Sequence, residues 1–170
     1  MAEASVLFAT RPTATGGRLG IATLNVAKTL NSLSLEMVES LLAQLTAWRD
    51  DADIVAVMLD ASGEKAFCAG GDVQQLYKSA VSQPGGPCEY AETFFEREYR
   101  LDYLLHRFPK PLICWGHGIV MGGGLGLFAA CRHTVVTEKT RVAMPEITIA
   151  LYPDVGGTWF LPKMPGQTGL

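Results

Sequence analysis

Two short apolar runs, "SVLFAT" and "RLGIATLN", flank the turn-forming segment "TATGG", and this pattern predicts an opening antiparallel hairpin. The period then changes. Val38, Leu41, Leu42, Leu45 and Trp48 recur at the spacing of one helix face, and Ser34 stands where an N-cap belongs. "DIVAVMLD" follows as a short, nearly continuous apolar run, the signature of a strand buried on both faces. "ASGEKAFCAGGD" reads as a loop that leads into a short helix, "VQQLYKSA". "SQPGGP" breaks the chain and is its one linker-like segment.

A longer helix is predicted from about Glu89 to Phe108, and "PLICWGHG" as another buried strand. "GGGLGLFAAC" reads as a tightly packed helix despite its glycines, "HTVVTE" and "RVAMP" as strands, and "GGTWFLPKM" as the start of one more helix. Strands alternating with helices predict an α/β fold. No repeat at a fixed period is visible. The length, 170 residues, suits one domain with a real core and is short for two.

Composition narrows the classes. Hydrophobic residues make up 48% and charged residues 18%, the balance of an ordered globular chain. The net charge is −3 and Lys and Arg form no block, so no nucleic-acid or acidic-membrane partner is expected. The apolar stretch "GIVMGGGLGLFAAC" is too short to span a bilayer. Cys68, Cys88, Cys114 and Cys131 show no C-x-x-C spacing and are expected as reduced thiols. "MAEASVLFATRP" lacks the features of a secretory signal, so the expected compartment is cytoplasmic. In a eukaryote the mitochondrial matrix is the alternative, although no clear transit peptide is present.

Several familiar sites are missing. No G-x-S-x-G elbow occurs, and His106, His117 and His133 match no metal spacing. "GHGIVM" puts Met121 where a dinucleotide loop needs its third glycine, and no Gly-Lys-Ser/Thr follows the glycine runs. Two glycine-rich segments remain, "AFCAGGD" and "HGIVMGGGLG", each after a predicted strand. Such loops can present two backbone N–H groups to one oxygen, an oxyanion hole. Tight turns or close helix packing would explain the same glycines.

Three carboxylates stand out. Glu98 falls inside the apolar stripe of Phe94, Leu101, Leu105 and Phe108, where a charge is costly unless it is paired or used. Arg97, Arg100 and Arg107 are near enough to pair with it. Glu146 and Asp154 lie in the otherwise apolar or turn-forming "MPEITIALYPDVGG". Glu146 has Arg141 and Lys163 as candidate ion-pair partners, and Asp154 is placed to cap a helix that begins near Gly156.

"KAFCAGGD", "HGIVMGGGLGL" and "MPEITIALYPDVGGTWFLP", in that order, resemble the crotonase (enoyl-CoA hydratase/isomerase) superfamily along essentially the whole chain. The resemblance implies a ClpP/crotonase-like fold of repeated ββα units and an acyl-CoA substrate, with CoA part of that substrate and no separate cofactor or metal. It implies an oxyanion hole from the Gly71 and Gly123 amides, with Cys68 and Ala69 near the CoA adenine. Hydratases of the family carry a second acid just after the glycine triplet, where this chain has Gly126. They commonly have "PGxGG" where this chain has "PDVGG", introducing Asp154.

That substitution, with "FFEREY" around Glu98, is similar to the 3-hydroxyisobutyryl-CoA hydrolases of valine catabolism. By that resemblance Glu98, Gly123, Glu146 and Asp154 form the substrate site, and Glu146 and Asp154 carry the hydrolysis. The alternatives are a hydratase or isomerase acting through Glu146 and a non-catalytic acyl-CoA-binding subunit. Residues 1–170 are expected to be the N-terminal portion of this fold, stopping at "KMPGQTGL" where a further helix should begin. The remainder is expected to cover the site and to contribute to a possible homo-oligomer.

Overall fold

The computed structural model describes residues 3–164. The opening hairpin forms as predicted, with β1 (Val6–Pro12) antiparallel to β2 (Arg18–Leu24) and Val6 opposite Leu24. Helix α1 (Leu35–Asp50) follows, and the Ser34 hydroxyl accepts the Met37 N–H at 3.2 Å as its N-cap. The chain then repeats one unit. β3 (Ile54–Ala61) and β4 (Ala66–Cys68) precede α2 (Val73–Ser82) and α3 (Glu89–His106). β5 (Leu112–Gly116) and β6 (Ile119–Met121) precede α4 (Gly123–Ala130). β7 (His133–Val136) and β8 (Arg141–Ala143) precede the short α5 (Gly157–Phe160).

Each unit gives its first strand to one sheet and its second to another. The larger sheet has the order β1-β2-β3-β5-β7 and is parallel from β2 onward. The smaller, β4-β6-β8, is parallel throughout, with Met121 opposite Ala143. The ββα repeat is therefore present, although no fixed period marks it, because the connections between strands differ in length. The end of the chain, where a further helix is expected, lies outside the described residues.

One face of the larger sheet is packed. Met37, Val38, Leu41, Leu45 and Trp48 of α1 are buried, with Leu42 at the margin. Trp48 lies over Gly20 of β2, where a Cβ would come within 2.9 Å of the indole, and meets Phe8 edge-on at 5.8 Å. The expectation that the central strands are buried on both faces does not hold. β3 buries Ile54, Val57 and Leu59 but leaves Val55 42% exposed, and β5 leaves Trp115 equally open. Among the described residues, helices pack against the other face only.

α4 is a close-packed helix as predicted. The Cys68 carbonyl sits where a Cβ on Gly124 would be, so only glycine lets the helix seat on β4. Asn31 fixes the connection before α1. It is fully buried in the left-handed region (φ 54°), accepts the Val26 N–H at 2.8 Å and donates to the Ser62 and Ala66 carbonyls at 3.0 Å each. Asn31→Ala removes all three bonds, the one to the Ala66 carbonyl fully buried and the other two partly so. It should lower stability by about 3 kcal/mol, measured by urea unfolding of the full-length protein.

Candidate active site

Three parallel strands of the small sheet end at one edge, and the loops that leave them meet there. After β4 comes Gly70, with φ 107°; a Cβ on it would lie 3.2 Å from the Met121 carbonyl and 3.6 Å from the Gly123 nitrogen. After β6 comes Gly122, also at positive φ, with Gly123 opening α4. Leu33 donates to the Gly70 carbonyl and accepts from the Asp72 amide, so the intervening Gly71 N–H takes no part in that bridge. Gly123 is the first residue of its helix and has no carbonyl one turn behind it. Among the described residues neither amide donates to a protein acceptor. The predicted pair of free donors stands on two touching loops.

A cavity of about 220 Å³ lies against these loops. Gly71, Gly123, Glu98, Glu146 and Asp154 all line it, so the sequence-predicted acids and donors converge. Gly70 and Gly122 of the two glycine-rich segments line it too, as do Phe94, Phe95 and Pro145, which were not anticipated as lining residues. Ala69 is on its wall, whereas Cys68 is fully buried and does not reach it. Burial pushes the Cys68 thiol up to about 12, which suits a packing residue.

Glu98 projects from α3 onto Gly123, its Oε1 occupying the place of that residue's Cβ. The side chain is 2% exposed. No arginine pairs with it; Arg100 bonds Glu96 instead, at 2.6 Å. Burial first, and then the charges of Asp102, Asp154 and Glu146, push its carboxyl up to about 9. It is a neutral hydrogen-bond donor at pH 7. Asp102, one turn further along α3, has both oxygens buried without a partner, and burial raises it well above the usual range.

Glu146 opens a 3-10 turn (Glu146–Ile149) after β8. Its Oε1 faces Gly122, 2.8 Å from where a Cβ would be, and its Oε2 is buried without a partner. Neither Arg141 nor Lys163 bonds it; the Lys163 ammonium sits over the Trp159 ring at 3.4 Å. Burial raises its carboxyl, with Asp154 adding to the effect.

Asp154 is not a side-chain cap. Its carbonyl takes the Gly157 N–H at 2.6 Å, and Gly156 is the N-cap of α5 without a side-chain bond. The carboxylate instead accepts the Tyr99 hydroxyl at 3.1 Å. Burial raises the Asp154 carboxyl and the Tyr99 bond opposes that rise. The next residue, Val155, is buried at φ 43° and packs on Gly126, where a Cβ would fall 2.7 Å from the valine Cβ. Tyr99 and Asp102 were missed in the sequence, although Asp102 shares the helical stripe of Glu98.

Residues 19–170 match the enoyl-CoA hydratase/isomerase family. The chain belongs to this family. Among its relatives, the mitochondrial 3-hydroxyisobutyryl-CoA hydrolase of Gallus gallus is 43% identical over 154 residues, 90% of this chain and 39% of that protein. The Homo sapiens enzyme of the same name is 40% identical over 153 residues, again 90% and 39%. The chain thus spans about two fifths of the length of these relatives.

Solved structures of the family superpose closely. A carnitinyl-CoA dehydratase from Mycobacterium thermoresistibile gives a TM-score of 0.87 at 41% identity, over 98% of this chain and 46% of that one. An enoyl-CoA hydratase from Rhodobacter sphaeroides gives 0.87 at 38%, over 98% and 47%. The fold is the α/β crotonase fold, and these residues correspond to its N-terminal portion. Among the described residues no cluster of three or more His, Cys, Asp or Glu is arranged to hold a metal, and no helix is long and apolar enough to cross a membrane.

The raised Glu98 has a consequence for stability. Its carboxyl titrates near 4.5 when unfolded and at about 9 when folded, so in between the native state holds a proton that the unfolded state has lost. Stability therefore falls as pH rises through that window. Glu98→Gln removes the part of this dependence that Glu98 contributes. The variant should gain on the wild type between pH 5 and pH 8, by at most about 1.4 kcal/mol per pH unit, measured by urea unfolding at each pH.

Proposed function

We propose that this family member hydrolyses an acyl-CoA thioester, with a short branched 3-hydroxyacyl group such as 3-hydroxyisobutyryl as its substrate. The observation that carries this reading is Asp154 on the wall of the cavity that holds Glu146, combined with Gly126 where a second acid after the glycine triplet would stand. The names of the relatives support the same substrate. Their mitochondrial location favours the matrix over the cytoplasm for this protein. Residues 1–170 would then be the acyl-CoA-binding portion of a longer fold.

In this reading the thioester carbonyl oxygen rests between the Gly71 and Gly123 amides, which stabilise the oxyanion as the tetrahedral intermediate forms. Glu146, with its free Oε2 in a desolvated site, either attacks the carbonyl carbon or takes a proton from the water that does. The C–S bond breaks and CoA leaves as thiolate. On the nucleophilic route a water then cleaves the acyl–Glu146 anhydride and its proton goes to the thiolate; on the other route Glu146 passes the proton it took from water to the thiolate. Either way the free acid is released. Asp154 orients the water or accepts the substrate hydroxyl. Glu98, kept neutral by burial, lines the acyl pocket as a donor. CoA enters only as part of the substrate.

A second reading rests on the solved neighbours, which are named as a hydratase and a dehydratase. In it Glu146 alone moves protons at an enoyl or hydroxyacyl group.

Titration of released thiol from full-length protein with 3-hydroxyisobutyryl-CoA and a panel of acyl-CoA esters separates the two. Turnover should be seen, and Glu146→Gln should reduce it by about 100-fold or more. Because Glu146 and Asp154 must both be ionised and burial raises both carboxyls, the acidic limb of the kcat/KM profile should lie above the ordinary carboxylate range. Absence of thiol release together with loss or migration of an enoyl double bond would sink the hydrolase reading.

Gly126→Glu supplies the acid that hydratases carry, but here its Cβ meets Val155. The variant should fail to add water to crotonyl-CoA, followed by loss of enoyl absorbance, and should lose thioesterase activity as the Asp154 loop is displaced.

A further inference from the structure

Tyr99 belongs to a chain of rings along α3. Phe94 lies 3.2 Å from the position of a Cβ on Gly71, so its ring is seated directly on the oxyanion-hole residue. Phe94 meets Phe95 edge-on at 5.5 Å, and Phe95 meets Tyr99 at 6.0 Å with the rings tilted by 37°. The Tyr99 hydroxyl then reaches 3.1 Å to Asp154 Oδ2. Three aromatic residues of one helix thus connect the Gly71 donor to the Asp154 carboxylate. No other side-chain hydrogen bond to Asp154 exists among the described residues.

Apart from the Tyr99 hydroxyl and its own backbone N–H, the surroundings of Asp154 disfavour its charge. From α3 it faces Glu98 and Asp102, and from the 3-10 turn it faces Glu146. Tyr152 lies in the same neighbourhood, close enough to influence Tyr99. α4 offers only glycines and apolar residues, and α5 contributes Gly157 and Trp159 but no acid or base. None of the ion pairs among the described residues includes any of these acids. A second cavity, about 370 Å³, is lined by Tyr99, Asp102 and Val155. The Tyr99–Asp154 bond runs between the two spaces. Without that hydroxyl the carboxylate would keep only its own backbone N–H as a donor.

We propose that Tyr99 is a positioning residue for the hydrolysis: its hydroxyl, braced by Phe95 and Phe94, holds Asp154 ionised and aimed into the cavity that contains Glu146. The proposal rests on the hydrolase reading of Asp154. It assigns to α3 a second task besides carrying Glu98. A charge-assisted bond from a neutral phenol favours the ionised carboxylate, so its removal moves the Asp154 carboxyl further up.

The test uses the full-length protein and thiol release from 3-hydroxyisobutyryl-CoA across pH. Tyr99→Phe keeps the ring stack and removes one oxygen. It should lower kcat about tenfold or more with KM little changed, and move the acidic limb of the kcat profile upward by about one pH unit. A structural role alone would lower stability without moving that limb.

Site-specific 3-fluorotyrosine at position 99 is the complementary probe. It keeps the shape and strengthens the donor, so the limb should move down. An unmoved limb in both proteins overturns the proposal. If Tyr99→Phe does not fold, the fluorotyrosine protein decides alone on the same criterion. If wild type releases no thiol from any acyl-CoA, the hydrolase reading is what fails. Tyr99 is then judged on Asp154 itself, from the pH at which its carbon-13-labelled carboxyl titrates in wild type and in Tyr99→Phe. An identical titration in the two overturns the proposal, and a higher one in the variant supports it.

Discussion

The pairing of three very short parallel strands, β4, β6 and β8, is the constraint on which the site depends. Parallel strands point the same way, so their C-terminal ends share an edge and the segments that leave them are neighbours. Ala69–Gly71, Gly122–Gly123 and Pro145–Glu146 are those three segments. Strand spacing alone brings two backbone donors and one carboxylate to the same place. The approach is closer than side chains permit: the positions of Cβ atoms on Gly70, Gly122 and Gly124 are occupied or nearly touched by Met121, Glu146 and Cys68. Glycine in both loops is a consequence of that proximity before it is a feature of catalysis.

The same crowding sets the electrostatics. Three carboxyl groups line the cavity beside the two amides and a fourth, Asp102, follows one turn along α3; burial raises each of them. They cannot all ionise together at neutral pH in such surroundings. Burial bears hardest on Glu98 and Asp102, the more deeply buried, and favours their protonated forms. Charge then falls on Glu146 and Asp154, each of which has local support: Glu146 from its own backbone N–H and Asp154 from Tyr99. The division matches the chemistry in which a base or nucleophile must be anionic and a substrate-facing donor must be neutral.

How much of this could be read in the residues depended on the length over which each signal was written. α1 and α3 declare themselves through a stripe of sixteen residues or more, and Ser34 marks where the first begins. β4 and β6 are three residues each, too short for a periodicity, so the second sheet could not be assembled although "RVAMP" marked its third strand and its loops were legible. Glu98 was legible because a charge in an apolar stripe violates a pattern, whereas its independence from Arg97 and Arg100 needed coordinates. Asp154 was ambiguous in principle: an aspartate before a helix is a cap far more often than a ligand, and the decision lay with Tyr99, fifty-five positions away. The oxyanion donors came from the family resemblance, because glycine clusters carry no direction.

Val155 and Gly126 belong to one feature. A β-branched residue at positive φ is strained by about 1–3 kcal/mol, and Val155 sits at φ 43° while buried. Such a conformation persists only where packing over-determines it. Here the valine side chain fills the hollow that a glycine at 126 leaves on α4, and any Cβ there would expel it. Expulsion would carry away the adjacent Asp154 and break its bond to Tyr99. A glycine at 126 therefore makes room for Val155, the residue that holds the adjacent Asp154 in place.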